Sequence, residues 1–264
     1  MKKKLVIYTC VTGGYDQIKP VVKKYSNFDY FCFTDSAVPE SQTNGWQVFP
    51  VEPQENPKNQ NRYYKILPPR IPEIAEYEYS LYIDGSINIV GDLQQWSGTI
   101  LESKPAMALY AHRKRSSVAE EIISVAQRKQ APLWELADFA DRLRENQWIG
   151  CNQLFDCCLL LRSSHNEEVV KAMETWWRFY LEGPERDQLH FPRACAQNNF
   201  SPQALAPFGK RLDERYFVVG RHINDSRWHR FWTNNIYRPY VRYCWADQIK
   251  LLKGAPGGRS EHSS

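Results

Sequence analysis

The stretch EYSLYIDGSINIVGDL, residues 78–93, reads as a hydrophobic strand that stops abruptly at Asp84-Gly85-Ser86 and then resumes as a second apolar run. A lone carboxylate at the tip of a buried strand is costly unless something pairs with it. A divalent cation bound to a diphosphate is a natural partner, because hard cations take oxygen ligands and share them with phosphates. Gly85 permits close approach of a ligand, and Ser86 adds a hydroxyl. Asp-Gly is equally a strong turn dipeptide, so a plain hairpin turn is the competing reading.

Working outward, strand-like runs rich in Val, Ile, Tyr and Phe fall at residues 5–11, 30–34, 46–51, 80–83, 106–111, 154–161 and 216–219. Several are apolar on both faces, as strands covered by helices are. Between them lie helical patterns. Ser117 with Glu120 forms a capping box ahead of Ile122, Ile123 and Ala126. Residues 132–146 space Leu133, Leu136, Ala137, Ala140 and Leu143 as a helix does, and Asn166 caps a run expected to bury Val169, Val170, Met173, Trp177 and Tyr180. Trp176 and Trp177 sit mid-helix and read as core. Residues 50–61 are polar and Pro-containing and are expected to form a surface loop. The pattern predicts an α/β fold with a mostly parallel central sheet and helices on both faces, in one domain over residues 1–252. Residues 253–264, rich in Gly and Ser, are expected to be a disordered tail.

Composition narrows the function classes. The chain has 264 residues and a formal net charge of +4, and its Lys and Arg are not concentrated in one stretch, which argues against a nucleic-acid partner. The basic start MKKK precedes an apolar run that is short for a signal peptide and is followed by GGYD, not a small-residue cleavage site. No run approaches the roughly 18 apolar residues of a membrane span. Seven Cys, with no CxxC pair, suit reduced thiols and a cytoplasmic location. The aromatic content of 14% suits ring stacking on ligands and core filling alike.

Four further motifs carry candidate chemistry, and three of them, VTGGYD, FTD and AHRKRSS, follow strands, at whose carboxyl ends an open α/β sheet binds ligands. VTGGYD, residues 11–16, turns tightly after the first strand. Asp35 closes the next strand in FTD, where it can take ribose hydroxyls or cap a turn. In NRYYKILP, residues 61–68, Arg62 and Lys65 fall on one face of a helical turn, a pairing a diphosphate needs and a solvated basic face also shows. The cations of AHRKRSS, residues 111–117, suit phosphates or an acidic acceptor, and equally a solvated charge run.

The ordered set VTGGYD, FTD, RxxK, SLYIDGSI, LFDCCLLLR and RDQLHFP resembles the glycosyltransferase-like family that includes the plant mucilage-related hexosyltransferases, with many bacterial members. The resemblance covers residues 6–192 and implies a GT-A fold, in which a strand-end acidic motif holds the diphosphate of a nucleotide sugar and its metal. Asp84-Gly85-Ser86 is similar to that family's acidic motif, without its second acid. Carried over residue by residue, the resemblance implies that Thr12, Gly13, Gly14, Tyr15 and Asp35 face the nucleoside and that Arg62 and Lys65 approach the diphosphate. It further implies that Asp84, Gly85 and Ser86 line the metal and donor, with Asp156 at the donor sugar. Asp187 and Gln188 fall beside the reacting sugar, with Asp187 the candidate base, or else a helix N-cap. His222 is the expected second ligand of a Mn2+ or Mg2+ ion. The implied partners are a UDP- or GDP-sugar and a saccharide or glycoconjugate acceptor. Two other classes compete: a nucleotide-sugar-binding module without turnover, and a metal-dependent hydrolase, which the lack of an HExxH-type cluster disfavours.

Overall fold

The computed structural model describes residues 4–148, 153–210, 212–220 and 227–254. Seven strands form one sheet: β1 (Leu5–Val11), β2 (Phe28–Thr34), β3 (Gln47–Pro50), β4 (Tyr79–Ile83), β6 (Met107–Ala111), β7 (Phe155–Ser163) and β8 (Gln203–Ala204), in the order β3-β2-β1-β4-β7-β6-β8. A second, two-stranded sheet pairs β5 (Ile87–Ile89) with β9 (Phe217–Val219). The helices are α1 (Pro57–Ile66), α2 (Pro72–Ala75), α3 (Leu93–Glu102), α4 (Val118–Gln127), α5 (Leu133–Glu145), α6 (Glu167–Leu181), α7 (Asp187–Gln197), α8 (Arg227–Trp232), α9 (Arg238–Cys244) and α10 (Ala246–Lys253).

The expected α/β architecture holds, with a mostly parallel sheet. β1 runs parallel to both β2 and β4, β2 to β3 and β6 to β8, while β7 is antiparallel to β4 and β6. This pattern decides where chemistry gathers. Because β7 alone is reversed, its first residues lie at the same edge as the carboxyl ends of β1, β4 and β6. Thr12, Asp84, His112 and Asp156 therefore share one rim. The chain order also reverses beside β1, with β2 on one side and β4 on the other, the kind of switch point where open α/β sheets bind ligands.

All seven residues of β1 are buried, since each of its faces carries a separate core. Val6, Tyr8 and Cys10 pack with Ile66, Trp176 and Phe191 on one side, and Leu5 and Ile7 pack with Leu93, Trp96 and Phe217 on the other. A third core joins α4 and α5 to Val241 and Trp245 of the C-terminal helices. The predicted caps form: Ser117 Oγ accepts from the Glu120 N–H at 3.2 Å, and Asn166 Oδ1 from the Val169 N–H at 3.0 Å.

Three local readings change. The polar segment 50–61 is not all loop: Asn56 Oδ1 accepts from the Asn59 N–H at 3.0 Å, and Pro57 starts α1, where a missing N–H costs nothing. Of the two Trp rings on α6 the fully buried one is Trp176, whose Nε1 donates to the Asp187 carbonyl, while Val170 and Trp177 are only half-buried. Pro192 does not interrupt α7, which runs unbroken to Gln197. Among the described residues, no helix is long and apolar enough to cross a membrane.

Candidate functional site

The rim carries two adjoining cavities. The first, of about 640 Å3, lies at the switch point and is lined by Thr12, Gly13, Tyr15, Arg62, Asp84, Gly85 and Ser86, among others. The second, of about 590 Å3, is lined by His112, Arg115, Asp156, Gln188, Val218 and Val219, among others. Arg128 and Arg186 line both and form the wall between them.

The glycine loop after β1 is built by its backbone. Gly13 and Gly14 have φ of +65° and +61°, a region that L side chains rarely enter, and a Cβ on Gly13 would lie 2.8 Å from the Pro57 ring. Thr12 Oγ1 donates to the Pro57 carbonyl at 2.7 Å, and the Gly13 N–H donates to Asp35 Oδ2 at 2.8 Å. Asp35 thus holds the turn and does not line the cavity, and Gly14 does not line it either. Tyr15 stands 57% exposed at the mouth.

Asp84 follows β4, and the Ile87 N–H donates to its carbonyl at 2.9 Å, so Asp-Gly sits in a turn, but not in a hairpin, because β4 and β5 belong to different sheets. The turn carries the chain from the large sheet into the small one. The Asp84 carboxylate points inward: Oδ1 accepts from the Tyr82 hydroxyl at 2.9 Å and lies 3.3 Å from Lys65 Nζ. A Cβ on Gly85 would come within 3.2 Å of Val11 Cγ2 and 3.4 Å of Asp16 Oδ2, so the close approach there is made by the β1 loop itself.

Arg62 and Lys65 do share one face of α1, but that face is already occupied. Lys65 Nζ sits 2.6 Å from Asp187 Oδ2, and Arg62 Nε sits 3.4 Å from the same oxygen. The Lys65 side chain is 2% exposed and does not reach the cavity, whereas that of Arg62 is 18% exposed and lines it. Arg162, the last residue of LFDCCLLLR, is buried beneath and donates to the Lys65 carbonyl at 2.7 Å and to the Tyr8 hydroxyl at 2.5 Å, fixing α1 to the sheet.

Asp187 is the first residue of α7; Arg186 stands at the N-cap position, and no side chain caps this helix, which removes the N-cap reading. Burial alone would raise the Asp187 pKa, but the charges of Arg62, Lys65 and Arg186 outweigh it and hold the carboxyl well below the ordinary carboxylate range. Such a group is ionised at neutral pH and poorly suited to take a proton. Asp156 is its opposite. Burial raises its pKa, and the charge of Asp84 raises it further. It pairs across the sheet with Tyr110 and lines the second cavity. Gln188 Nε2 donates to the Phe155 carbonyl at 2.9 Å and its Oε1 accepts from Arg186 at 2.9 Å, so it braces the wall between the cavities.

For a divalent cation, the described residues bring no three His, Cys, Asp or Glu side chains together. His222 lies outside the described residues. Asp84 and Asp16 flank Gly85 at one end of the first cavity, and Mg2+ is commonly held by one or two carboxylates plus substrate phosphates. The donor set therefore fits a cation that arrives with a diphosphate, and does not amount to an all-protein cage.

Of the residues singled out in the sequence, the fold brings Thr12, Gly13, Tyr15, Arg62, Asp84, Gly85 and Ser86 into one cavity and Asp156 and Gln188 into the next. Asp16, Asn61, Tyr82 and Arg128 also line them. Asp16 and Tyr82 sat inside motifs already marked; Arg128 follows a helix with no motif around it.

No protein-family model matches this chain, and no curated protein matches it. Among solved structures it is similar to the apo form of WbbM, a bifunctional glycosyltransferase, at 9% identity and a TM-score of 0.48. The match covers 97% of this chain and 45% of that one, so the chain spans less than half of that protein's length.

Proposed function

We propose that this protein is a glycosyltransferase that moves a hexose from a UDP- or GDP-sugar to a saccharide acceptor, in polysaccharide or glycoconjugate synthesis. The observation that carries the reading is the switch-point cavity, where a glycine loop, a cation and a strand-end acid converge on one opening. The nucleoside would lie along Thr12, Gly13 and Tyr15, with Asp35 and Gly14 acting through the loop. Arg62 would contact the diphosphate directly. Lys65, buried between Asp84 and Asp187, would set the position of Asp84 and hold a positive field beneath it. A Mn2+ or Mg2+ ion shared by Asp84 and the phosphates would stabilise the leaving diphosphate.

The proton of the acceptor hydroxyl needs a base whose pKa is lifted toward working pH. Asp156 meets that demand and faces the second cavity; Asp187 acts as a buried counter-ion that positions Arg62 and Lys65. Buried thiols at Cys10, Cys32 and Cys157, which form no disulfide among the described residues, favour a cytoplasmic setting. A thermal-shift screen of UDP, GDP and their sugars, with and without Mn2+, tests the binding half of this reading. Donor hydrolysis or transfer separates an enzyme from a binding module. A protein that no nucleotide stabilises would sink the proposal.

A further inference from the structure

Five cations line the second cavity: Arg113, Lys114 and Arg115 after β6, Arg128 after α4, and Arg186 before α7. Few carboxylates oppose them. Arg115 bonds Glu121, a fully buried carboxylate whose other oxygen lies 3.5 Å from Arg186 Nε. Asp156 and Glu214 line the opening. Among the described residues, no carboxylate lies within ion-pair distance of Arg128, which is half-buried. Burial and the neighbouring charge of Arg115 lower its pKa, outweighing the opposite pull of Glu121, so the fold holds a cation where its charge is disfavoured. The carboxyl end of α4 offsets only a fraction of that cost. His112 adds no positive charge: burial, with Arg115 and Arg128, lowers its pKa to about 4, and its Nδ1 accepts N–H bonds from Lys114 and Arg115 at 3.1 and 2.9 Å.

We propose that this cavity is an anion subsite that seats a phosphate or carboxylate group carried by the acceptor. Planar guanidinium groups converging on one space suit bidentate capture of either anion. The acceptor is the right owner for two reasons. The cavity lies across the Arg128–Arg186 wall from the glycine loop, and the wall it shares with Asp156 is where an acceptor hydroxyl would have to arrive. The inference rests on the nucleotide reading of the first cavity. It adds that the acceptor is acidic: a phosphorylated or uronic-acid-bearing glycan, where a neutral sugar would leave the excess of positive charge unmatched.

The test is calorimetric titration of the intact protein with inorganic phosphate, glucose 6-phosphate and glucose, each with and without saturating UDP. Two variants accompany the wild type: Arg128→Gln, and the double change Arg113→Gln with Lys114→Gln at side chains on the cavity's open edge. Phosphate and glucose 6-phosphate are expected to bind in the presence of UDP, and glucose not to bind. Arg128→Gln should weaken the phosphate probes about tenfold or more, since a charge-assisted contact of this kind carries that much. The double variant should weaken them too and leave UDP affinity unchanged. Displacement of phosphate by UDP would assign the seat to the donor's own diphosphate and overturn the proposal, as would phosphate binding indifferent to both variants. Arg128-dependent phosphate binding in a protein that takes up no UDP would keep the anion site and overturn the nucleotide reading instead.

Discussion

The two cavities share a wall and differ in how their charges are arranged. In the first, two cations and two carboxylates interlock, with Arg62 and Asp84 at the cavity and Lys65 and Asp187 buried beneath: Arg62 and Lys65 on Asp187, and Lys65 again on Asp84. In the second, five cations face two lining carboxylates and one buried one, and Arg128 has no ion-pair partner among the described residues. In the first network each charge has an ion-pair partner, so its charges chiefly position groups, with Arg62 and Asp84 left facing the cavity. The other is unbalanced, so its charges are built to meet something. The contrast extends to the two aspartates that flank the rim. Cations hold Asp187 ionised, while burial and a like charge push Asp156 toward the protonated form.

Exchanging those roles by mutation gives the largest expected effect. Asp156→Asn keeps shape and removes the base, and should lower kcat by about 10²–10⁴-fold with little change in donor KM. Asp187→Asn should act chiefly through the fold. It strips the common counter-ion from two buried cations, a class of change that costs about 3–5 kcal/mol. Steady-state kinetics beside denaturant melts on both variants separates the two. Should Asp187→Asn stay fully stable and lose only turnover, the assignments must be reversed.

The sequence displayed these sites unevenly, for physical reasons. Seven strands and the main caps were readable because local pattern determines them: a strand buried on both faces must be apolar throughout, as residues 5–11 are. Motifs at strand ends were readable too, because the sheet gathers such ends at one rim. What periodicity does not encode is which charges meet. Arg62 and Lys65 form one pair in the sequence, yet Asp187, more than a hundred residues on, binds both and leaves only Arg62 facing the cavity. Arg128 gave no signal at all, since its importance lies in neighbours contributed by β6 and the start of α7. The segment at 50–61 was misjudged because polar residues and Pro suggest a loop, although Asn56-Pro57 is an N-cap followed by a helix start.

Two histidines test the comparison by pH. Burial is the main cause that lowers both His112, beside the basic cavity, and His190, beneath the interlocked one, to about 4. Their folded pKa values lie below the ordinary value of 6.5. The unfolded chain therefore binds protons first, and stability falls as pH drops from about 6.5 toward 4. Each histidine contributes up to about 1.4 kcal/mol per pH unit over that window. Asp187 stays ionised throughout the window and weakens the fold only as pH drops below the ordinary carboxylate range; Asp156, with its raised pKa, works in the opposite direction. Urea melts at pH 7, 6 and 5 should show the slope, and His190→Phe should remove about half of it. A flat profile would mean that the histidines are not held neutral.

The smallest effect isolates the basic cavity from its neighbour. Ser117 caps α4, the helix that carries Glu121 and ends at Arg128, and its hydroxyl accepts from the Glu120 N–H at 3.2 Å. The Glu120 carboxylate reaches back to the Ser116 N–H at 2.7 Å, one residue earlier than an ideal capping box, so the two bonds together fix where α4 begins. Ser117→Ala removes one of them and should cost about 1 kcal/mol, the usual value for a lost N-cap. The first cavity takes its glycine loop, Arg62 and Asp84 from β1, α1 and β4, and α4 contributes to it only at its far end through Arg128, so UDP affinity should barely move. Arg128 sits at the far end of the same helix, and a frayed first turn leaves that end packed through Ile122 and Val125. Phosphate affinity should therefore fall much less than in Arg128→Gln. A melting curve with paired UDP and phosphate titrations reads all three quantities from one variant. A large drop in UDP affinity would show that the cavities are mechanically coupled through α4, and that the shared wall, not the separate floors, sets the properties of both.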